Sequence, residues 1–162
     1  MTAMKSELFL KFCIYKKNFR ANNSLDTRAI GTLIPGQNAG SSILEHNLQF
    51  TLVIPEDQDI WIQMLQNTTT LKEHSYVMLN LYNREEVPEK RLDLRYVDPK
   101  LEYIKPLFPK NGKNCQIPYL HNGWCYQLAA GTYFISASYN VPDERKYMFR
   151  VIGEGVTLNL LE

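Results

Sequence analysis

The sequence predicts an all-β protein, an antiparallel β-sandwich of about eight strands. Short runs of alternating apolar and polar residues recur along the chain, and turn-forming residues separate these runs. Aromatic residues, which β-sheets favour, make up 12% of the 162 residues. Helical periodicity is nearly absent, with a single helical turn expected at residues 71–74. Together these patterns favour two packed antiparallel sheets.

Each predicted strand places apolar residues at alternate positions, as Leu48, Phe50 and Leu52 do. This alternation is typical of a strand with one buried face. Turn signals at 55–57 and at Ala130-Gly131 end two of the runs. The predicted strands span residues 8–15, 48–54, 60–64, 76–82, 91–97, 124–128, 133–139, 147–152 and 156–160.

Two segments interrupt this series. Residues 101–113 contain two prolines and a glycine, which predicts a loop or a short irregular strand. Residues 83–90 are charged and contain Pro88, so we expect them to form a long exposed connection. The length of the chain fits a single domain over residues 1–162, in which residues 1–29 contribute an N-terminal strand and loop.

Charge and cysteine content narrow the classes of function. The formal net charge of +1 gives no electrostatic argument for a nucleic-acid partner. A disulfide framework needs more cysteines than three, and an even number of them. We therefore interpret the three cysteines as reduced thiols of a cytosolic protein. No apolar run is long enough to span a membrane, and the first residues do not resemble a signal peptide.

Nothing in the sequence predicts a catalytic residue or a zinc site. Cys125 and His121 are the closest candidates for a nucleophile and a base, but they would need a tight bend at Asn122-Gly123 to meet. We therefore interpret Cys125 as a small buried residue. The three histidines are scattered, with no ligand at the spacing that zinc sites use.

Two charged clusters are candidates for ligand binding. Glu56, Asp57 and Asp59 fall at one turn and are a candidate calcium or acidic-turn site, although calcium needs five or more oxygen ligands from converging loops. The alternative is a solvated turn that protects a strand edge. The second cluster is basic and consists of Lys16, Lys17 and Arg20. It is a candidate contact for acidic phospholipid or a protein partner. The alternative is a solvated strand end.

Three segments of the chain resemble the third, non-catalytic β-sandwich domain of the calpain cysteine proteases. The resemblance covers most of residues 30–162. The first segment, residues 34–50, contains the glycine-rich run and the Asn-x-Gln-Phe sequence that open that domain. The second, residues 50–66, matches a pair of strands around an acidic turn, and the third, residues 128–151, matches a closing hairpin. The matching residues are Gly36, Ala39, Gly40, Asn47, Phe50, Gly131, Tyr133 and Arg150.

Departures from the family pattern indicate a divergent branch, such as the calpain-seven-like or fungal ambient-pH-response calpains. Ser41 stands where the family has a second glycine, and Leu48 where it has a proline. The acidic turn is also short, which weakens the expectation of a calcium response. No segment matches the motifs around the protease cysteine, histidine and asparagine.

The resemblance implies a regulatory or targeting module that does not itself cleave peptides. Its partners would be a protease core, in cis or in a parent protein, and a second protein such as a component of the endosomal sorting (ESCRT) machinery. The location would be cytoplasmic or endosome-associated. Two alternatives remain open: a calcium-dependent phospholipid-binding sandwich, and a carbohydrate-binding or hydrolytic sandwich that uses Trp61, Trp124 and a carboxylate pair. Calcium is the one cofactor considered.

Overall fold

A computed structural model describes residues 26–39, 46–66, 77–83, 88, 90–92, 102–106, 121–139, 141 and 143–162. Within these residues the chain forms nine strands and no helix, which confirms the predicted all-β class. The strands are β1 (Asp26–Leu33), β2 (Leu48–Ile54), β3 (Gln58–Gln66), β4 (Val77–Asn83), β5 (Glu102–Ile104), β6 (His121–Leu128), β7 (Gly131–Tyr139), β8 (Arg145–Ile152) and β9 (Thr157–Leu160).

The strands build two antiparallel sheets. The four-stranded sheet has the order β1-β8-β3-β6, and the five-stranded sheet has the order β5-β4-β7-β2-β9. Among the passages of the chain from one sheet to the other, three lie between β2 and β3, between β6 and β7, and between β8 and β9. The strand registers place these three crossings at the same end of the sandwich, which we call the turn end.

The core lies between the two sheets and is built from alternate residues of each strand. Tyr133, Ile135 and Ala137 of β7 face inward together, as the sequence predicted. Phe50 and Phe149, which belong to different sheets, stack with ring centroids 4.4 Å apart. Burying side chains of this size contributes about 1.5–3 kcal/mol each, so this layer is the main source of stability.

Seven of the predicted strands coincide with β2, β3, β4, β6, β7, β8 and β9 to within a few residues. The prediction for 91–97 is wrong at Arg91 and Leu92, which belong to no strand, and residues 93–97 lie outside the described part of the chain. The backbone of Leu92 is instead hydrogen-bonded to the side chain of Gln49. The predicted strand at 8–15 and the helical turn at 71–74 lie outside the described residues.

The sequence analysis missed β1 and left β5 undecided. Alternation is weak in β1 because its inward positions carry small or polar residues, among them Gly31. A Cβ atom at Gly31 would lie 2.9 Å from the ring of Tyr147, its cross-strand neighbour on β8. The aromatic ring therefore fills the space that an apolar side chain of β1 would otherwise occupy. β5 has only three residues, too few for a periodic pattern.

Candidate functional site

The acidic residues of the candidate calcium site lie at the turn end, where Asp57 has a structural role. Asp57 and Glu56 are exposed in the turn between β2 and β3, and Asp59 lies on β3. Oδ1 of Asp57 accepts a hydrogen bond of 2.8 Å from the backbone amide of Ala130, in the turn between β6 and β7. Among the described residues, no group of three or more acidic, histidine or cysteine side chains is placed to hold a metal ion.

Gln58 joins the third of these crossings, between β8 and β9, to the first, between β2 and β3. Its Oε1 accepts a 2.6 Å hydrogen bond from the amide of Glu154, and its Nε2 donates to the carbonyl of the same residue at 2.9 Å. Gly155 takes a positive φ of 62° in this turn and packs close to Pro55. The side-chain amide of Gln58 thus bonds both the backbone amide and the carbonyl of Glu154, as a residue on a neighbouring strand would, and stabilises the turn between β8 and β9.

Tyr133, one of the residues that match the calpain pattern, fixes the turn between β6 and β7. Its hydroxyl donates a 2.8 Å hydrogen bond to the carbonyl of Ala129. Burial raises the pKa of this hydroxyl, the charge of Asp57 adds to the rise, and the bond to Ala129 opposes it. Side-chain bonds to the backbone therefore connect all three crossings at the turn end.

The glycine-rich segment forms a compact turn after β1. Gly36 has a φ of 75°, a conformation that glycine adopts without strain. The side chain of Asn38 accepts from the amide of Ile34 at 2.7 Å and donates to the carbonyl of Thr32 at 2.8 Å. Ala39 is buried, whereas Gly40 lies outside the described residues. The matched residues in this segment thus have conformational and packing roles.

A charged cluster lies on the outer face of the four-stranded sheet. Arg150, another matched residue, contacts Oδ1 of Asp26 through Nε at 2.9 Å. Arg28 bonds the other carboxylate oxygen of Asp26, and Gln63 accepts a longer bond from Arg150. The hydrogen bond from Arg28 lowers the pKa of Asp26 most; partial burial opposes this, and Arg150 lowers the pKa further.

An apolar row runs beside this cluster, two positions away from it on β1, β8 and β3. The row consists of Ile30, Met148 and Leu65, which the registers of β1, β8 and β3 align across the sheet. Ile30 is 73% exposed, the largest exposure of any large apolar residue described. Lys146, which is also exposed, lies on the other side of the row. The outer face of this sheet thus combines exposed apolar surface with basic side chains.

The outer face of the five-stranded sheet is covered by the chain itself. Arg91 and Leu92, which we call the strap, cross it. Leu92 packs with Tyr103 against a second cluster of buried residues, made of Tyr82, Phe134 and Leu161. Several polar side chains on this outer face are buried as well; they include Gln49, Thr51, Ser136 and Ser138.

The remaining candidates separate in the structure. β6 runs without interruption through Asn122 and Gly123, so the bend that would bring His121 to Cys125 is not formed, and an offset of four residues spans about 13 Å. Trp124 is 1% exposed in the inter-sheet core, so its indole is not available to stack on a sugar, while Trp61 lies on the opposite side of the same sheet. Lys16, Lys17 and Arg20 lie outside the described residues.

No family model matches this chain, and no curated protein matches it. In the described part of the chain, no helix has the length and apolar character needed to cross a membrane.

Sequence analysis missed the residues that distinguish the two outer faces. Ile30 lies on the strand that the sequence did not predict. Gln49 alternates with the apolar residues of its strand, so the pattern alone places it on the outer face. The signal for Gln49 is weak in the sequence because its partner, Leu92, is 43 residues away. A pattern of period two shows which side chains share a face, but it does not show what covers that face.

Proposed function

We propose that this chain is a non-catalytic binding module, the regulatory and targeting domain of a calpain-like cysteine protease. The protease core is its first partner, held by the outer face of the four-stranded sheet. The observation that carries the proposal is the apolar row of Ile30, Met148 and Leu65, aligned by register and exposed at Ile30. Exposed apolar surface bordered by polar residues is typical of protein-binding surfaces.

The charges around the row define the partner surface. Arg28 and Arg150 lie on one side of the row and Lys146 on the other, against the single carboxylate of Asp26. A complementary partner presents an apolar anchor ringed by acidic side chains, because opposite charges across an interface set orientation and specificity. The three segments that resemble the calpain third domain support a protease core as that partner.

The targeting part of the proposal rests on the family resemblance alone. In the calpain-seven-like and fungal branches, a module of this kind would bring the protease to endosomal sorting proteins. This chain would then work in the cytoplasm or at the endosome surface. We expect it to cleave no peptide bond itself, because no segment of the sequence matches the motifs around the protease cysteine, histidine and asparagine.

The binding face is tested with two matched substitutions. Ile30→Asp places a charge in the apolar row, whereas Leu160→Asp changes an exposed apolar residue of similar size on β9, in the other sheet. We expect the wild-type chain and Leu160→Asp to bind a recombinant calpain protease core equally in titration calorimetry. Ile30→Asp should weaken binding at least about tenfold, which corresponds to about 1.4 kcal/mol.

Thermal unfolding of both variants controls for loss of structure. Incubation of casein with the chain, with and without calcium, tests separately for proteolysis. No casein hydrolysis is expected. Equal binding by the two variants, or no binding to the core, would contradict the assignment of this face. Casein hydrolysis that Cys125→Ala abolishes would overturn the non-catalytic assignment as well.

A further inference from the structure

The strap is held on the five-stranded sheet by contacts that resemble the recognition of a peptide. Nε2 of Gln49 donates to the carbonyl of Leu92 at 2.9 Å, and Oε1 of Gln49 accepts from the amide of Leu92 at 2.8 Å. A carboxamide that pairs with the backbone amide and carbonyl of one residue recognises an extended backbone. A neighbouring strand recognises a peptide in the same way in β-augmentation. These two bonds do not depend on the identity of the residue at position 92.

Two further contacts depend on the side chains of the strap. Nη2 of Arg91 donates to the carbonyls of Gln37 and Asn47, each at 3.0 Å. The side chain of Leu92 packs against the apolar cluster of Tyr82, Phe134 and Leu161. The surface therefore selects a basic residue followed by an apolar residue, in addition to an extended backbone.

The surface beneath the strap keeps an unused hydrogen-bonding group. Nδ2 of Asn47 donates to the hydroxyl of Ser136 at 3.2 Å, but Oδ1 of Asn47 is buried with no hydrogen-bond partner. Arg91 bonds the main-chain carbonyl of this same residue and leaves the side-chain oxygen unpaired. A buried acceptor without a partner is costly, so a segment that supplied a donor there would bind this surface better than the strap does.

We propose that the outer face of the five-stranded sheet is a docking site for an extended peptide segment of a partner protein, and that the strap is its occupant in cis. The partner segment carries a basic residue followed by an apolar residue. The strap blocks the site until a competing segment displaces it. This inference concerns a different sheet from the proposed function and does not depend on it.

Because the strap occupies the site, we expect the wild-type chain to bind a partner segment weakly. A tethered occupant acts at an effective concentration in the millimolar range, so a free peptide of the same sequence competes poorly. Weakening the strap should therefore reveal the site. Once the strap is weakened, Gln49, Asn47 and the apolar cluster are available to contact a segment added in trans.

The test uses the full chain and a labelled synthetic peptide that spans residues 88–95. The emptied variant is Arg91→Ser/Leu92→Ser, and Leu92→Ala is a milder version. Fluorescence anisotropy should show binding of the peptide to the emptied variant at least about tenfold tighter than to the wild-type chain. A control peptide with serine at the positions of Arg91 and Leu92 should not bind.

The variant Gln49→Glu, made in the emptied chain, tests the backbone contact, because a carboxylate accepts from an amide but cannot donate to a carbonyl. It should lower peptide affinity at least about tenfold. If the emptied variants do not fold alone, the peptide should restore their near-ultraviolet circular dichroism. Failure of the peptide to bind the emptied variants or restore their fold, or equal binding of the serine control, would overturn the proposal.

Discussion

Buried tyrosine hydroxyls in this protein differ in whether they have a hydrogen-bond partner. Tyr133 donates to the Ala129 carbonyl, whereas the hydroxyl of Tyr139 is buried with no partner. Both side chains belong to β7 and face the inter-sheet core. Because an unpaired buried hydroxyl costs roughly 1–3 kcal/mol, the same substitution should have opposite effects at the two positions.

Removing each hydroxyl tests this difference. Tyr139→Phe should raise the free energy of unfolding by about 1 kcal/mol, because it removes a polar group that makes no bond. Tyr133→Phe should lower it by about 1 kcal/mol, because it leaves the Ala129 carbonyl without its donor. Urea unfolding at neutral pH measures both, and shifts in the same direction would contradict the assigned hydrogen bonding.

Residue-level packing also explains why one strand could not be predicted from sequence. Gly31 interrupts the alternation of β1, and glycine is unfavourable in an isolated strand. The ring of Tyr147 compensates by covering Gly31 from the neighbouring strand, 116 positions later in the chain. Period-two patterns detect a strand only when its own side chains form the buried face, so a strand completed by another element is missed.

At the scale of the elements, the turn end is where strands of different sheets are connected by single side chains. Asp57 joins the first crossing to the second, and Gln58 joins the first to the third. The acidic turn that suggested a calcium site therefore has a structural use for its central carboxylate. This use predicts that two neighbouring acidic residues respond differently to mutation.

Asp57→Ala should lower the free energy of unfolding by about 1 kcal/mol, because the amide of Ala130 loses its acceptor. Glu56→Ala, a matched change one residue away, should stay within about 0.5 kcal/mol of the wild type. Asp57→Asn keeps an oxygen in place and should recover most of the loss. Thermal unfolding with calcium and with chelator completes the test, and a calcium-dependent rise in the melting temperature that Asp57→Ala removes would support a metal site instead.

Most elements could be predicted from sequence because their signals are local. The turn residues at 55–57 and at Ala130-Gly131 mark the first two crossings, and the strands on either side alternate clearly. The candidate surfaces could not be predicted in the same way. The strap depends on a bond between Gln49 and Leu92, and the apolar row depends on the order β1-β8-β3, both of which arise only from the tertiary fold.

At the scale of the whole molecule, the outer faces of the two sheets differ in how far the rest of the chain buries them. One face is buried under the strap and Leu161, and the other exposes Ile30 between basic side chains. Buried tyrosines lie in both parts of the fold, Tyr126 and Tyr139 between the sheets and Tyr82 in the cluster under the strap. Their hydroxyls should make the stability of the entire sandwich fall at alkaline pH.

Burial raises the pKa of Tyr82 to about 12, with a smaller contribution from Tyr103. Burial also raises the pKa values of Tyr126 and Tyr139. In the unfolded chain tyrosine ionises near pH 10, so above that pH the unfolded chain binds fewer protons than the folded chain. The stabilisation is therefore complete below about pH 10 and is lost as the pH rises toward the folded pKa values.

Each such tyrosine lowers the free energy of unfolding by about 1.4 kcal/mol per pH unit above pH 10, so these three together give about 4 kcal/mol per unit. A domain with a stability of about 5–15 kcal/mol should then unfold cooperatively within a few units of that pH. Tyrosinate absorbance and circular dichroism, followed in one titration, should show the buried tyrosines ionising together with the loss of β-structure. Tyr139→Phe should reduce the slope by about a third, and ionisation of all three tyrosines near pH 10 with the β-structure intact would contradict their burial.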